Sequence, residues 1–284
     1  MKKLIERLLL FFLGLPLLVA SVVFLPHYGY LAFHLEILFF SVLAVLEMHN
    51  LLAKKLKVLP LGLLLPISLI IPLASFAYSV LGYPFRIITY SIAIGVFILF
   101  AIEFVISFRG IDEKALERIG SSFFTMIYPG YLVMYLSIIT VWEDAGALLA
   151  VFFMMVFGCD SLAWFFGMLF GKGNRGMIPA SPNKSLAGFF GGVAGSIFAA
   201  FLGRFFFPAV FDIHPAGLIA LGVLTSSAAI IGDILESIFK RAAGIKDSGN
   251  VIPGRGGVLD SIDSVLLAAP VFYILCDYLL GFGI

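Results

Sequence analysis

The chain has 284 residues, of which 62% are hydrophobic and 12% charged. Soluble proteins carry about 25% charged residues, so a soluble domain is excluded and an integral membrane protein is expected. The net charge of +1 says nothing about partners, and no nucleic acid is expected among them. Cys159 and Cys276 both lie in apolar runs, which excludes a disulfide framework or a cysteine metal site.

A membrane-spanning helix needs about 20 mostly apolar residues. By that measure the sequence predicts an all-α, polytopic protein with about nine spans, at 8–25, 30–52, 59–80, 87–107, 121–142, 145–170, 185–207, 215–239 and 259–280. The first run has a basic start like a signal peptide but no small-residue cleavage site, and it leads straight into further spans, so a retained anchor is expected. Pro60, Pro66 and Pro72 mark the third span as a candidate for a break. Residues 109–120 are short and charged and read as an interfacial helix, dividing a four-span N-terminal half (1–110) from a five-span C-terminal half (111–284). Glu36, Glu47 and Glu103 fall in the N-terminal spans. Hydrogen bonding between helices is the favoured role for them, with a lipid-accessible groove as the alternative.

Orientation follows from Lys and Arg. With the N-terminus in the cytoplasm, sixteen of these cations fall on the inner side and two, Arg86 and Arg204, on the outer side.

The C-terminal half carries the chemistry. Asp160 lies inside the sixth span, and a carboxylate at membrane depth costs roughly 2.5–3.5 kcal/mol, so it is functional by default. Gly171 to Gly176 fits a dinucleotide fingerprint by letter, but no strand precedes it and the connector reading stands. Next come Ser181, Pro182, Asn183, Lys184 and Ser185. Ser181-Pro182 is a turn, Ser185 is placed to cap the seventh span, and Lys184 at that helix start can meet a phosphate. Ala187, Gly191, Gly195 and Ala199 recur every four residues, a packing face within the protomer or between two copies in a homodimer. In the eighth span Asp233, Glu236, Ser237 and Lys240 fall at i, i+3, i+4 and i+7, one polar face leading into a charged loop.

That loop, within 237–263, concentrates Lys240, Arg241, Lys246, Asp247, Gly254, Arg255, Gly256, Gly257, Asp260 and Asp263 in an otherwise apolar chain. Glycines let a backbone approach phosphate, and Lys and Arg neutralise it. Asp260 and Asp263 are three apart and share a helical face. Oxygen ligands of that kind suit Mg²⁺, which takes carboxylates together with water and substrate phosphates.

The pattern Ser-x-x-Lys-Arg, four residues, Lys-Asp, then Pro-x-x-Gly-Gly, two residues, Asp-x-x-Asp resembles the signature of the CDP-diacylglycerol synthases (phosphatidate cytidylyltransferases). Asp160, Gly232-Asp233, Glu236-Ser237 and the Ser-Pro-x-Lys-Ser segment resemble the family too. Three positions depart: Arg255 stands where the family usually has His, Ser261 where it has Arg, and Ala187 where it has Glu.

The resemblance implies a multi-pass enzyme of the cytoplasmic membrane that joins CTP to phosphatidic acid, releasing pyrophosphate, with Mg²⁺ as cofactor. The assignment implied is metal on Asp233, Asp260 and Asp263, with Lys240, Arg241 and Lys246 in the catalytic machinery. Ser181, Lys184, Ser237, Asp247, Gly254, Arg255, Gly256, Gly257 and Asp160 would contact substrate. The composition leaves two alternatives open, a cation-coupled transporter and a CTP-dependent enzyme acting on another lipid. A single cysteine placed in the 246–255 loop is expected to react with a membrane-impermeant thiol reagent only from the cytoplasmic side. Labelling in intact cells would overturn the orientation.

Overall fold

The computed structural model describes residues 15–252 and 256–282. Among these residues the protein is all helical, with no strand, and eight helices are long and apolar enough to cross a membrane. In chain order the helices are α1 (Leu15–Val23), α2 (His27–Leu52), α3 (Leu61–Leu81), α4 (Arg86–Ser107), α5 (Ala115–Met126), α6 (Met134–Ile139), α7 (Ala145–Phe170), α8 (Leu186–Phe206), α9 (Pro215–Ala242) and α10 (Leu259–Leu280). The first part of the expected first span, 8–14, lies outside the described residues, and α1 falls in its remainder.

The third span does not break. α3 runs unbroken through Pro66 and Pro72, with Pro60 at its N-cap. Pro72 has no N–H for the Ser68 carbonyl one turn back. The backbone of Gly130 packs directly on that carbonyl, so closely that a Cβ there would stand 2.7 Å from the oxygen. The break falls in the fifth span instead. Between α5 and α6 the chain makes a π-helical turn, Ile127–Tyr131, closed by Leu132 N–H donating to the Ile127 carbonyl at 3.2 Å. Pro129 sits in this turn and has no N–H of its own to place in an α-helical ladder.

The charged segment 109–120 does not form a separate interfacial helix. α5 starts at Ala115 and continues into the span. Arg118 is buried and pairs with Glu103 of α4 and with Asp112. The guanidinium holds the exposed Asp112 carboxyl below its usual range. Glu36 accepts from Ser21 Oγ at 3.0 Å, so Glu36 and Glu103 both make the interhelical bonds expected of them.

Two apolar clusters form the core. The smaller joins α3, α4, α5 and α6 through Leu64, Ile71, Leu99 and Met126. The larger draws Phe33 and Met48 of α2 together with Phe152 and Phe153 of α7 and Leu266 and Phe272 of α10. Packing therefore runs across the boundary near residue 110.

Small residues set the helix spacing in the C-terminal half. The Gly191–Gly195–Ala199 stripe of α8 is buried. Gly191 lies against Phe166 and Gly195 against Gly158 of α7, so this face is used within the chain. On its other side α8 meets α9 at Gly222, where a Cβ would come 2.6 Å from the Ile197 Cα. Gly222→Ala is therefore expected to overpack this crossing and cost about 1–3 kcal/mol, read as a lower midpoint of thermal unfolding in detergent. An unchanged midpoint would contradict the close α8–α9 approach.

Candidate active site

Four helices, α7, α8, α9 and α10, and one connector converge in the C-terminal half. α7 ends at Phe170 with Gly171 as its C-cap, and the connector 171–185 turns the chain back into α8. Ser185 caps α8, its Oγ accepting from the Gly188 N–H at 3.0 Å, as expected from the sequence. Gly167, Gly171 and Gly188 close around that hydroxyl, leaving no room for a Cβ on Gly171. α9 and α10 pack closely at Gly232, where any side chain would run into the Asp263 carbonyl.

Between these elements lies a cavity of about 800 Å³. One part of its wall is charged and polar, with Asp160, Asp233, Asp263, Lys184, Arg175 and Asn183. Another part is apolar and aromatic, with Trp164, Met168, Phe189 and Phe190. All four of these apolar residues are exposed on the protein surface. Lys184 Nζ pairs with Asp233 at 2.7 Å across the cavity. Asp263 is 7% exposed and accepts from the Ser264 N–H at 2.6 Å. It lies within electrostatic reach of Asp233, Glu236 and Asp160. Carboxylates gathered in this way repel one another unless a cation joins them.

The site residues expected from the sequence divide into two groups. Asp160, Lys184, Asp233, Asp260 and Asp263 line the cavity, while Ser181, Ser237, Arg241, Lys246, Asp247, Gly256 and Gly257 do not. Gly254 and Arg255 lie outside the described residues. Lys240, expected to meet phosphate, is instead held between Glu236 and Asp260. Glu236 is fully buried, and a buried charge needs such a partner. Arg241 donates to the carbonyls of Ala180 and Ile245, both at 3.3 Å, and so ties the connector 171–185 to the end of α9. Lys246 and Asp247 are exposed.

Asp260 differs from the metal ligand the sequence leads one to expect. Its Oδ1 accepts from Lys240. Its Oδ2 accepts from the Ser248 N–H and Oγ at 2.9 Å and from the Gly257 N–H at 2.7 Å. In this arrangement the carboxylate organises the loop. Gly256, at φ +114°, makes the turn where a Cβ would collide with Asp260.

Glu47 makes interhelical bonds of the kind favoured for it, but to a partner that the sequence does not indicate. From α2 its carboxylate accepts from Val258 N–H at 2.9 Å, Leu259 N–H at 2.8 Å and Ser248 Oγ at 3.0 Å. No local motif announces this contact, and the only signal in the sequence is an acidic residue in an apolar span. Arg175 and Asn183 of the connector also line the cavity, although no motif singles them out.

Among the described residues no three His, Cys, Asp or Glu side chains stand close enough to enclose a metal ion by themselves. Mg²⁺ does not require such a cage, because it commonly takes one or two carboxylates and fills its remaining positions with water and phosphate oxygens. Asp263 and Asp233 fit that requirement; Asp260, with both oxygens engaged, fits it less well.

Comparison with known proteins places the chain by sequence. The cytidylyltransferase family matches residues 5–279. The phosphatidate cytidylyltransferase of Haemophilus influenzae is 44% identical over 128 residues, 44% of this chain and 44% of that protein. Its counterpart in Thermotoga maritima is 36% identical over 176 residues, 60% of this chain and 63% of that one. That of Pseudomonas aeruginosa is 41% identical over 134 residues, 46% and 48% of the two chains. The chain thus spans roughly half the length of the curated relatives it matches.

The ion pairs make separable predictions for stability. Lys240→Met leaves Glu236 and Asp260 without their cation and is expected to cost about 3–5 kcal/mol. Lys184→Met at the half-open cavity wall is expected to cost about 1 kcal/mol or less. Chemical unfolding in detergent checks both, and equal losses would contradict the assignment of Lys240 to structure.

Proposed function

The chain belongs to the cytidylyltransferase family, and from that membership we propose that it transfers the cytidylyl group of CTP to phosphatidic acid, forming CDP-diacylglycerol and pyrophosphate in a bacterial inner membrane. The observation that carries this reading is the two-sided cavity. A single space has a charged wall suited to phosphates and an exposed aromatic side suited to acyl chains. A reaction between a soluble nucleotide and a lipid phosphate needs both in one place. The sixteen-to-two cation asymmetry supports a cavity that opens to the cytoplasm, where CTP is found.

The chemistry asks little of a general base. The lipid phosphate is already ionised, and one of its oxygens attacks the α-phosphorus of CTP. The bond from that phosphorus to the β-phosphate oxygen breaks, and pyrophosphate leaves with its electron pair. Catalysis then consists of alignment and charge neutralisation. Lys184 and Arg175 are the cavity cations available to phosphate oxygens. Lys184 would exchange its Asp233 partner for substrate. Asp233 and Asp263 would hold Mg²⁺, which when bound supplies positive charge to the triphosphate. Asp160, in the same wall, would orient water or nucleotide around that group. Trp164, Met168, Phe189 and Phe190 would take the upper acyl chains.

Membership of the cytidylyltransferase family leaves the transport alternative without support. Asp260 and Asp263 lie at the start of α10, beside the connectors, with Asp160 and Asp233 deeper in α7 and α9.

Pyrophosphate release by the purified, membrane-reconstituted protein tests the proposal against a panel of nucleotides and lipids. Turnover is expected to require CTP and phosphatidic acid together, to stop on chelation and to return with Mg²⁺. Asp263→Asn is expected to lower it at least 100-fold while the protein stays folded. Preference for a lipid alcohol would select the related-enzyme alternative, and near wild-type turnover in both Asp233→Asn and Asp263→Asn would remove the metal assignment.

A further inference from the structure

We propose that Glu47 is a positioning residue for the active site: from α2, its carboxylate holds the N-terminus of α10 and Ser248 in register with the cavity. Three bonds carry the assignment. Val258 and Leu259 begin α10, and their N–H groups are among those a helix leaves without internal partners. Glu47 takes both, at 2.9 and 2.8 Å, and its charge is favourable at a helix N-terminus. The third bond comes from Ser248 Oγ, at 3.0 Å.

The loop is built around this carboxylate. A side chain at Gly249 or at Gly257 would occupy the space that Glu47 fills. On the other side Asp260 takes the Ser248 N–H and Oγ and the Gly257 N–H. The loop edges are thus held between two carboxylates, one from each half of the chain. Ser248 touches both, and its single hydroxyl proton serves one or the other.

Glu47 does not itself take part in the chemistry. It is 6% exposed and absent from the cavity wall, and both of its oxygens are engaged. Its influence passes through α10. Asp263 lies one turn beyond the two N–H groups that Glu47 fixes, in the same continuous helix, so a shift at Val258 moves Asp263 in the cavity. A small misplacement of a reacting group can cost about 100-fold in rate.

The effect on turnover rests on the cytidylyltransferase reading, whereas the clamp does not, and the experiment separates them. Hydrogen exchange is measured on the full-length protein in detergent, without substrate. In Glu47→Gln an amide N–H₂ replaces one acceptor and faces donors. The Val258 and Leu259 amides are then expected to exchange at least tenfold faster than in the native protein, with Glu47→Asp intermediate. Met48→Ala is the control: Met48 is the next residue on α2 and fully buried in the core. It should lower the thermal midpoint and leave those two amides within twofold of native. In turnover, below each variant's melting range, Glu47→Gln is expected to lose about 100-fold in kcat with KM for CTP changed less than threefold. Met48→Ala should stay within threefold of native in kcat. If Glu47→Gln does not fold, Glu47→Asp against Met48→Ala makes the same comparison. Unchanged Val258 and Leu259 exchange in the Glu47 variants would overturn the clamp, and an equal kcat loss in Met48→Ala would reduce Glu47 to a packing residue. Absence of turnover in the native protein would contradict the cytidylyltransferase reading and leave exchange to decide the clamp.

Discussion

Charges at the edge of a membrane must be satisfied by one another, because neither lipid nor a packed core can solvate them. The pairing of Lys240 with Glu236 and Asp260 is where this protein meets that requirement. Lys240 neutralises the fully buried Glu236 and reaches the first turn of α10 through Asp260. Asp260 passes the order on to Ser248 and Gly257, and Glu47 receives the same loop from the other side. Asp263, one turn along α10 from Asp260, then projects into the cavity with Asp233. If the Lys240 pairing is removed, the remaining contacts lose their common reference.

Backbone proximity is the second constraint. Gly232 brings α9 against α10 at the height of Asp263, and Gly222 and Gly195 bring α8 against α9 and α7. Helices in a membrane associate through such close packing, since burial from lipid provides little drive. The cavity lies beside these close crossings, lined by the connector 171–185 and by aromatic residues of α7 and α8. The polar and apolar walls therefore come from different sources, α9 and α10 carrying most of the carboxylates and α7 and α8 the aromatic rim.

Much of this was legible in the sequence. Runs of apolar residues located the helices to within a few positions, because a span has a fixed length. The polar face of Asp233, Glu236, Ser237 and Lys240 was visible at helical spacing, as was the capping role of Ser185. Roles that depend on distant partners were not visible. Lys240 and Arg241 look like phosphate ligands in a list of cations, yet one is needed by Glu236 and Asp260 and the other by the carbonyls of Ala180 and Ile245. Asp260 and Asp263 look equivalent by spacing, but a helix N-terminus gives the first of them backbone donors to satisfy. Glu47 lies 211 residues from Val258, and no local rule reaches that far. The third span was a candidate for a break because proline density does not reveal that Gly130 covers the carbonyl Pro72 leaves open.

The central claim is that one cavity receives both the nucleotide phosphates and the lipid. It is tested most directly by an experimental structure of the protein with CDP-diacylglycerol bound. The account predicts that the diphosphate lies between Lys184, Asp233 and Asp263, with acyl chains running past Trp164, Phe189 and Phe190. A diphosphate seated on Lys240, Arg241 and Lys246, or acyl chains leaving by another face, would contradict it.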